Sequence, residues 1–243
     1  MKRTAGLALG FGIVTHATFL GAIAVMFVAL HGGMTIGLGG FTGTRAWIAD
    51  LALLLSFPVL HSFLLARPGR ALLARLWGKR LGADLVSTSY ALVASLQLLC
   101  VFLAWSPLGP IWFEPTGLLL WVWRLGFVCA WVFLGKAIFD GGILLQTGAL
   151  GWLAVLRGRR PDYGPLRMSG LFARCRQPIY LGFALTLWTG PTWTPDHLLI
   201  ACSWTIYCVL GPLLKEARFL RWHGADFSAY RAKVPYLLPR IFS

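Results

Sequence analysis

Long, mostly apolar runs at residues 5–30, 47–65, 85–105, 117–139 and 197–214 leave this chain few places to fold. Each approaches or exceeds the ~20 residues needed to cross ~30 Å of hydrocarbon. A sixth run, residues 178–193, is barely long enough and ends in Gly190-Pro191-Thr192-Trp193-Thr194-Pro195. The last two runs therefore read as a tight helical hairpin, its turn capped by Thr194 or Asp196. Backbone groups in lipid must pair within their own segment, which helices do. The expected fold class is an all-α, polytopic integral membrane protein of about six transmembrane helices, ending in a helical hairpin and a cytoplasmic tail.

Composition agrees. The chain is 58% hydrophobic and 12% charged, with a mean hydropathy of +0.71, whereas soluble domains carry about 25% charged residues. The N-terminal run is too long for a cleaved signal, whose core is ~7–15 residues, and reads as the first span.

Orientation follows the cations, since Lys and Arg of short loops stay on the cytoplasmic side. Lys2 and Arg3 precede the first span, and clusters follow the second, fourth and last, so that 19 of the 22 Lys and Arg fall on one face. Residues 106–116 and 190–196 carry no cation. Both termini are therefore expected in the cytoplasm. The net charge of +14 is interleaved with spans, with no basic groove-reading helix, which argues against nucleic acid and for anionic membrane lipids as partners. The five cysteines contain no C-x-x-C pair and the histidines are scattered, so no metal site is expected; His16, His61 and His197 read as interhelical hydrogen bonders.

The chain divides into an N-terminal transmembrane scaffold, residues 1–115, and a chemically richer segment, residues 116–243. Lys136 and Asp140 lie i,i+4 near the cytoplasmic end of the fourth span and can pair. Residues 143–156 form an amphipathic stretch too short to cross, expected to lie along the interface. Then comes the elbow Arg176-Gln177-Pro178-Ile179-Tyr180-Leu181-Gly182, where a charged loop re-enters an apolar helix. Arg174 and Arg176 offer guanidinium forks suited to a carboxylate. Pro178 frees a helix start, Gly182 allows close backbone approach, and Glu216 can accept from an amino group or ribose hydroxyls. Tyr180, Tyr207 and the Pro235-Tyr236 tail can wall an adenine. Such a set suits S-adenosylmethionine. The plainer alternative stays open: Arg176 snorkels, Tyr180 sits in the interfacial belt and Glu216 pairs with a tail arginine.

At these residues the chain resembles a known family. The run from Gly170 to Phe183 is similar to the Arg-His-Pro-x-Tyr-x-Gly element of the membrane methyltransferases related to isoprenylcysteine carboxyl methyltransferase and phospholipid methyltransferases. Lys215-Glu216, His223-Gly224, Tyr230-Arg231, Val234-Pro235 and Pro239-Arg240 fall where that family has a Glu-Glu pair, a Phe-Gly, a Tyr-Arg and a Val-Pro…Pro-Arg ending. Leu60-His61-Ser62, Ala66-Arg67-Pro68, Ser89-Tyr90 and Phe139-Asp140…Gln146 look most like the bacterial branch holding methanethiol S-methyltransferase and the NnrU-like proteins. There are departures: Gln177 stands in place of His, Lys215 in place of the first Glu, and Ile138 and Leu145 in place of polar residues.

The resemblance implies an S-adenosylmethionine-dependent methyltransferase of the bacterial inner membrane, acting on a small thiol or lipid-like acceptor by in-line displacement. The carried-over cofactor residues are Arg174, Arg176, Gln177, Pro178, Tyr180, Leu181, Gly182, Glu216 and Pro235. On the acceptor side the catalytic candidates are Asp140 as a base and Lys136, or Arg174, as a cation near the reacting sulfur; the alternative for Asp140 is a structural role as the partner of Lys136. An NnrU-like, non-catalytic protein with a regulatory or assembly role is the alternative.

Overall fold

The computed structural model describes residues 2–239, with side chains from Thr4. Arg240 of the tail motif, and the side chains of Lys2 and Arg3, lie outside the described residues. The chain runs as α1 (Lys2–His31), α2 (Gly43–Leu65), α3 (Arg67–Arg75), α4 (Gly78–Leu103), α5 (Gly117–Asp140), α6 (Ile143–Gln146), α7 (Ala149–Leu156), a 3-10 turn (Gly170–Ala173), α8 (Pro178–Trp188) and α9 (Pro195–Lys233).

Five of these, α1, α2, α4, α5 and α9, are long and apolar enough to cross a membrane, and the protein is a multi-pass membrane protein. The sixth run is different. Its helix, α8, has 11 residues, which at ~1.5 Å per residue covers about half of a ~30 Å hydrocarbon core. Gly190 and Pro191 end it early, because neither continues a helix well. The hairpin itself is as expected. Thr194 caps α9 by accepting from the His197 N–H at 3.0 Å, and His197 Nε2 lies 2.7 Å from the Leu187 carbonyl across the turn.

Asp196 does something else. Its carboxylate accepts from Trp105 Nε1 at 3.0 Å and from the backbone of Leu108 and Gly109 at 3.1 and 3.0 Å. Asp50, also buried, accepts from the Ser106 N–H at 3.1 Å. Two buried acids thus tie the cation-free loop between α4 and α5 down onto α2 and α9. Beneath them lies the main core, where Met26, Leu30, Leu54, Phe102, Phe127 and Ile200 pack together. Outward faces remain apolar, as at Leu20, Val59, Leu118, Leu125 and Val132, and these are the surfaces a bilayer covers.

Residues 143–156 depart from the expected interfacial helix. Gly142 and Gly148 take φ of 89° and 76°, which breaks the stretch into α6 and α7, and α7 packs against α1 and α4. A Cβ on Gly148 would lie 2.4 Å from Ala91 Cβ, and one on Gly151 2.5 Å from the Asp84 carbonyl. Thr88 donates to the Gly148 carbonyl at 2.7 Å and accepts from the Trp152 N–H at 3.1 Å. The small residues Gly148 and Gly151 are what let it dock.

Candidate functional site: a buried polar hub beside an apolar cavity

The elbow is held from below by α5. Gly170 has φ 61° and presents no side chain to Asp140, whose Oδ2 a Cβ there would approach to 2.4 Å. That gap lets the carboxylate accept from the Leu171 N–H at 2.9 Å while Lys136 Nζ donates to both its oxygens at 2.5 and 2.6 Å. Asp140 therefore anchors the 3-10 turn, and Lys136 is its partner. Pro178, at N1 of α8, needs no N–H partner there. Gly182 receives no ligand backbone; a Cβ there would sit 2.9 Å from Leu134 Cα, so it serves close packing of α8 on α5.

Arg176 is the centre of a hub. Its Nε and Nη2 donate to Glu216 at 2.8 and 3.3 Å. Its Nη1 donates to the carbonyls of Val234 and Arg231 at 2.5 and 3.0 Å. The Arg176 backbone N–H reaches the Pro235 carbonyl at 2.9 Å, and the guanidinium lies 5.5 Å from the centre of the Tyr236 ring. The side chains of Arg176 and Glu216 are 10% and 7% exposed, so a fork expected to meet a ligand carboxylate meets a protein one instead.

Gln177, fully buried, links the hub to Lys215. Its amide nitrogen donates to Glu216 Oε1 at 2.8 Å, and its amide oxygen accepts from Lys215 Nζ at 3.0 Å. The Lys215 ammonium stands 5.7, 5.8 and 5.4 Å from the ring centres of Phe172, Tyr180 and Phe219, a distance at which ring quadrupoles attract a cation. Cys175 beside the hub is an inert thiol: burial pushes its pKa up, against a smaller opposing effect of its backbone hydrogen bond.

A cavity of about 870 Å³ opens along this hub. Phe19, Met26, Leu98, Trp131, Leu134 and Phe183 line its apolar interior, contributed by α1, α4, α5 and α8. Arg167, Arg176, Gln177, Lys215 and Arg218 line its polar end. Among the cofactor candidates, Arg176, Gln177 and Tyr180 line the cavity, while Arg174 is exposed and Glu216 and Pro235 act through Arg176. Leu181 is half-buried on α8 and is not among the lining residues, and neither are Asp140 and Lys136. Lys215 and Arg218 were not expected as cavity residues; their spacing of three on α9, just past the last apolar run, was the available signal. His61 and Tyr90 also line it.

No family model matches the sequence, and no solved structure matches it. Curated relatives do. Methanethiol S-methyltransferase 2 of Bradyrhizobium diazoefficiens is 31% identical over 204 residues, 82% of this chain and 75% of that protein. Methanethiol S-methyltransferase 1 of the same organism is 31% identical over 239 residues, 96% of this chain and 82% of its own length. Nurim of Rattus norvegicus is 29% identical over 187 residues, 72% of this chain and 69% of its own. An apolar chamber that ends at a charged rim suits group transfer between a lipid-soluble and a water-soluble molecule, and the protein is an integral membrane methyltransferase. It belongs to the family of the methanethiol S-methyltransferases.

Proposed function

We propose that this protein transfers the methyl group of S-adenosylmethionine to a small thiol, methanethiol being the first to try. The observation that carries the reading is the cavity of about 870 Å³ with one apolar and one cationic end, a volume within the ~300–1,000 Å³ of small-molecule sites. The residues present fit the donor. Lys215 and Arg218 meet a carboxylate, while the faces of Phe172, Tyr180 and Tyr207 suit an adenine and a sulfonium cation. Arg176, Gln177, Glu216 and Pro235 fix the wall on which Lys215 stands; Pro178, Leu181 and Gly182 set α8 against α5. The bound donor supplies an electrophilic methyl group. Residues 116–243 serve the donor side, and residues 1–115 supply much of the apolar wall that holds the acceptor and excludes water.

A lipophilic acceptor entering sideways from the bilayer is compatible with the same chamber. A non-catalytic role draws on one observation, that Nε, Nη1 and Nη2 of Arg176 are all bonded within the protein. Titration calorimetry of detergent-purified protein with S-adenosylmethionine, followed by transfer of labelled methyl to methanethiol, separates the two. Binding with transfer is expected; no heat and no transfer would leave the non-catalytic reading standing.

In the same reading the protein lies in the bacterial inner membrane with both termini in the cytoplasm. Single cysteines at residues 106–116 or at Thr192 should then label from the periplasm, and those at Arg75 or Arg159 only after permeabilisation. The reverse pattern would invert the placement.

A further inference from the structure

The cavity contains a second polar feature, far along the chain from the hub. The Tyr90 hydroxyl, on α4, and His61 Nε2, on α2, lie 2.5 Å apart. The pair is boxed by aromatic rings: Phe57 centred 5.0 Å and Tyr207 6.3 Å from the His61 ring. Tyr207 in turn meets Tyr180 at 6.3 Å, and Lys215 Nζ stands over Tyr180. A string of polar groups thus runs from the hub into a chamber whose other walls are mostly apolar. The groups facing the pair from α9 are Tyr207 and Arg218, with Tyr180 contributed by α8. His61 Nδ1 is buried without a hydrogen-bond partner. Buried polar atoms are paired in the great majority of cases, and an unpaired one calls for an explanation, of which a catalytic role is one.

Resting on the methyl-transfer reading above, we propose that Tyr90 and His61 form the proton-accepting dyad for the thiol. A thiol reacts through its thiolate, and the free pKa near ~8.5 or above leaves little of it at neutral pH. The acceptor's S–H points at Tyr90 Oη, which takes that proton as its own passes to His61 Nε2. The acceptor sulfur forms the new bond to the methyl carbon. The electron pair of the broken carbon–sulfur bond stays on the donor sulfur, which becomes a neutral thioether, and the dyad ends as phenol and imidazolium. Protons, charge and electrons balance without a further reagent. Asp140, with both oxygens engaged by Lys136 and Leu171, stands outside this chain of transfers.

Two thiols of different acidity test it. Tyr90→Phe and His61→Gln should each lower kcat for methanethiol by about 10²–10⁴-fold, the usual worth of general-base catalysis, with unchanged calorimetric affinity for S-adenosylmethionine. The same variants should keep most of their turnover with thiophenol, which is already ionised at neutral pH. Equal losses with both thiols would make the pair a structural contact and overturn the dyad, as would wild-type turnover of methanethiol in either variant. Wild-type protein that binds S-adenosylmethionine but methylates thiophenol only, with no methanethiol turnover, also overturns it. Failure of the wild type to bind the donor or to methylate either thiol defeats the methyl-transfer reading itself, a distinguishable result.

Discussion

Glu216→Ala is expected to lower stability by about 3–5 kcal/mol, the range for removing one partner of a buried ion pair. Three interactions end at that carboxylate: Arg176 Nε and Nη2, the Gln177 amide, and the longer contact with Arg231 Nε at 3.9 Å. Truncation leaves a guanidinium, 10% exposed, with two carbonyls and the Tyr236 ring but, among the described residues, no counter-charge within hydrogen-bonding distance. Glu216→Gln keeps an acceptor for Gln177 and should cost less. Denaturation midpoints in detergent read the difference. Trypsin reads it independently, because the segment carrying Arg231 and Lys233 is tied to the body by the Arg176 bonds to Arg231, Val234 and Pro235. Equal resistance in Glu216→Ala and wild type would show that the hub does not hold the tail.

The second large effect concerns a pair of departures that make sense only together. An amide has one donating and one accepting end, and Gln177 gives the first to Glu216 and the second to Lys215. Two carboxylates at 215 and 216 require two donors, which an imidazolium has and an amide oxygen does not. Lys215→Glu alone should therefore be severely destabilising, since it sets a carboxylate against the Gln177 amide oxygen that Lys215 served and removes the cation from its aromatic cage. Gln177→His added to it should recover roughly 1–3 kcal/mol, the size of coupling between residues of one network. Thermal midpoints of wild type, both single variants and the double variant form the cycle that measures this. Additive effects would mean the two positions are independent.

The long helices were legible because length and apolarity suffice to define a span, and α1, α2, α4, α5 and α9 fall on the five long runs. What sequence could not show was where polar groups point. Arg176 looks like an open fork until Glu216, forty residues on, closes it. Asp140 looks like a base until Gly170 and Leu171 fold back onto it. Gly182 suggests ligand approach, but α5 occupies that space. The break of segment 143–156 into α6 and α7 was hidden for the same reason, since the close neighbours of Gly148 and Gly151 lie on α4. His61 and Tyr90 each lie in a stretch that carries the resemblance, but 29 residues apart, and only the crossing of α2 and α4 joins them.

The brevity of α8 bears on biogenesis. Eleven residues cover only about half of the hydrocarbon, and the groups that satisfy Arg176 just before its start, Glu216 and Val234, follow 40 and 58 residues later in the chain. The start of α8 therefore gains its polar partners only once α9 and the tail are in place.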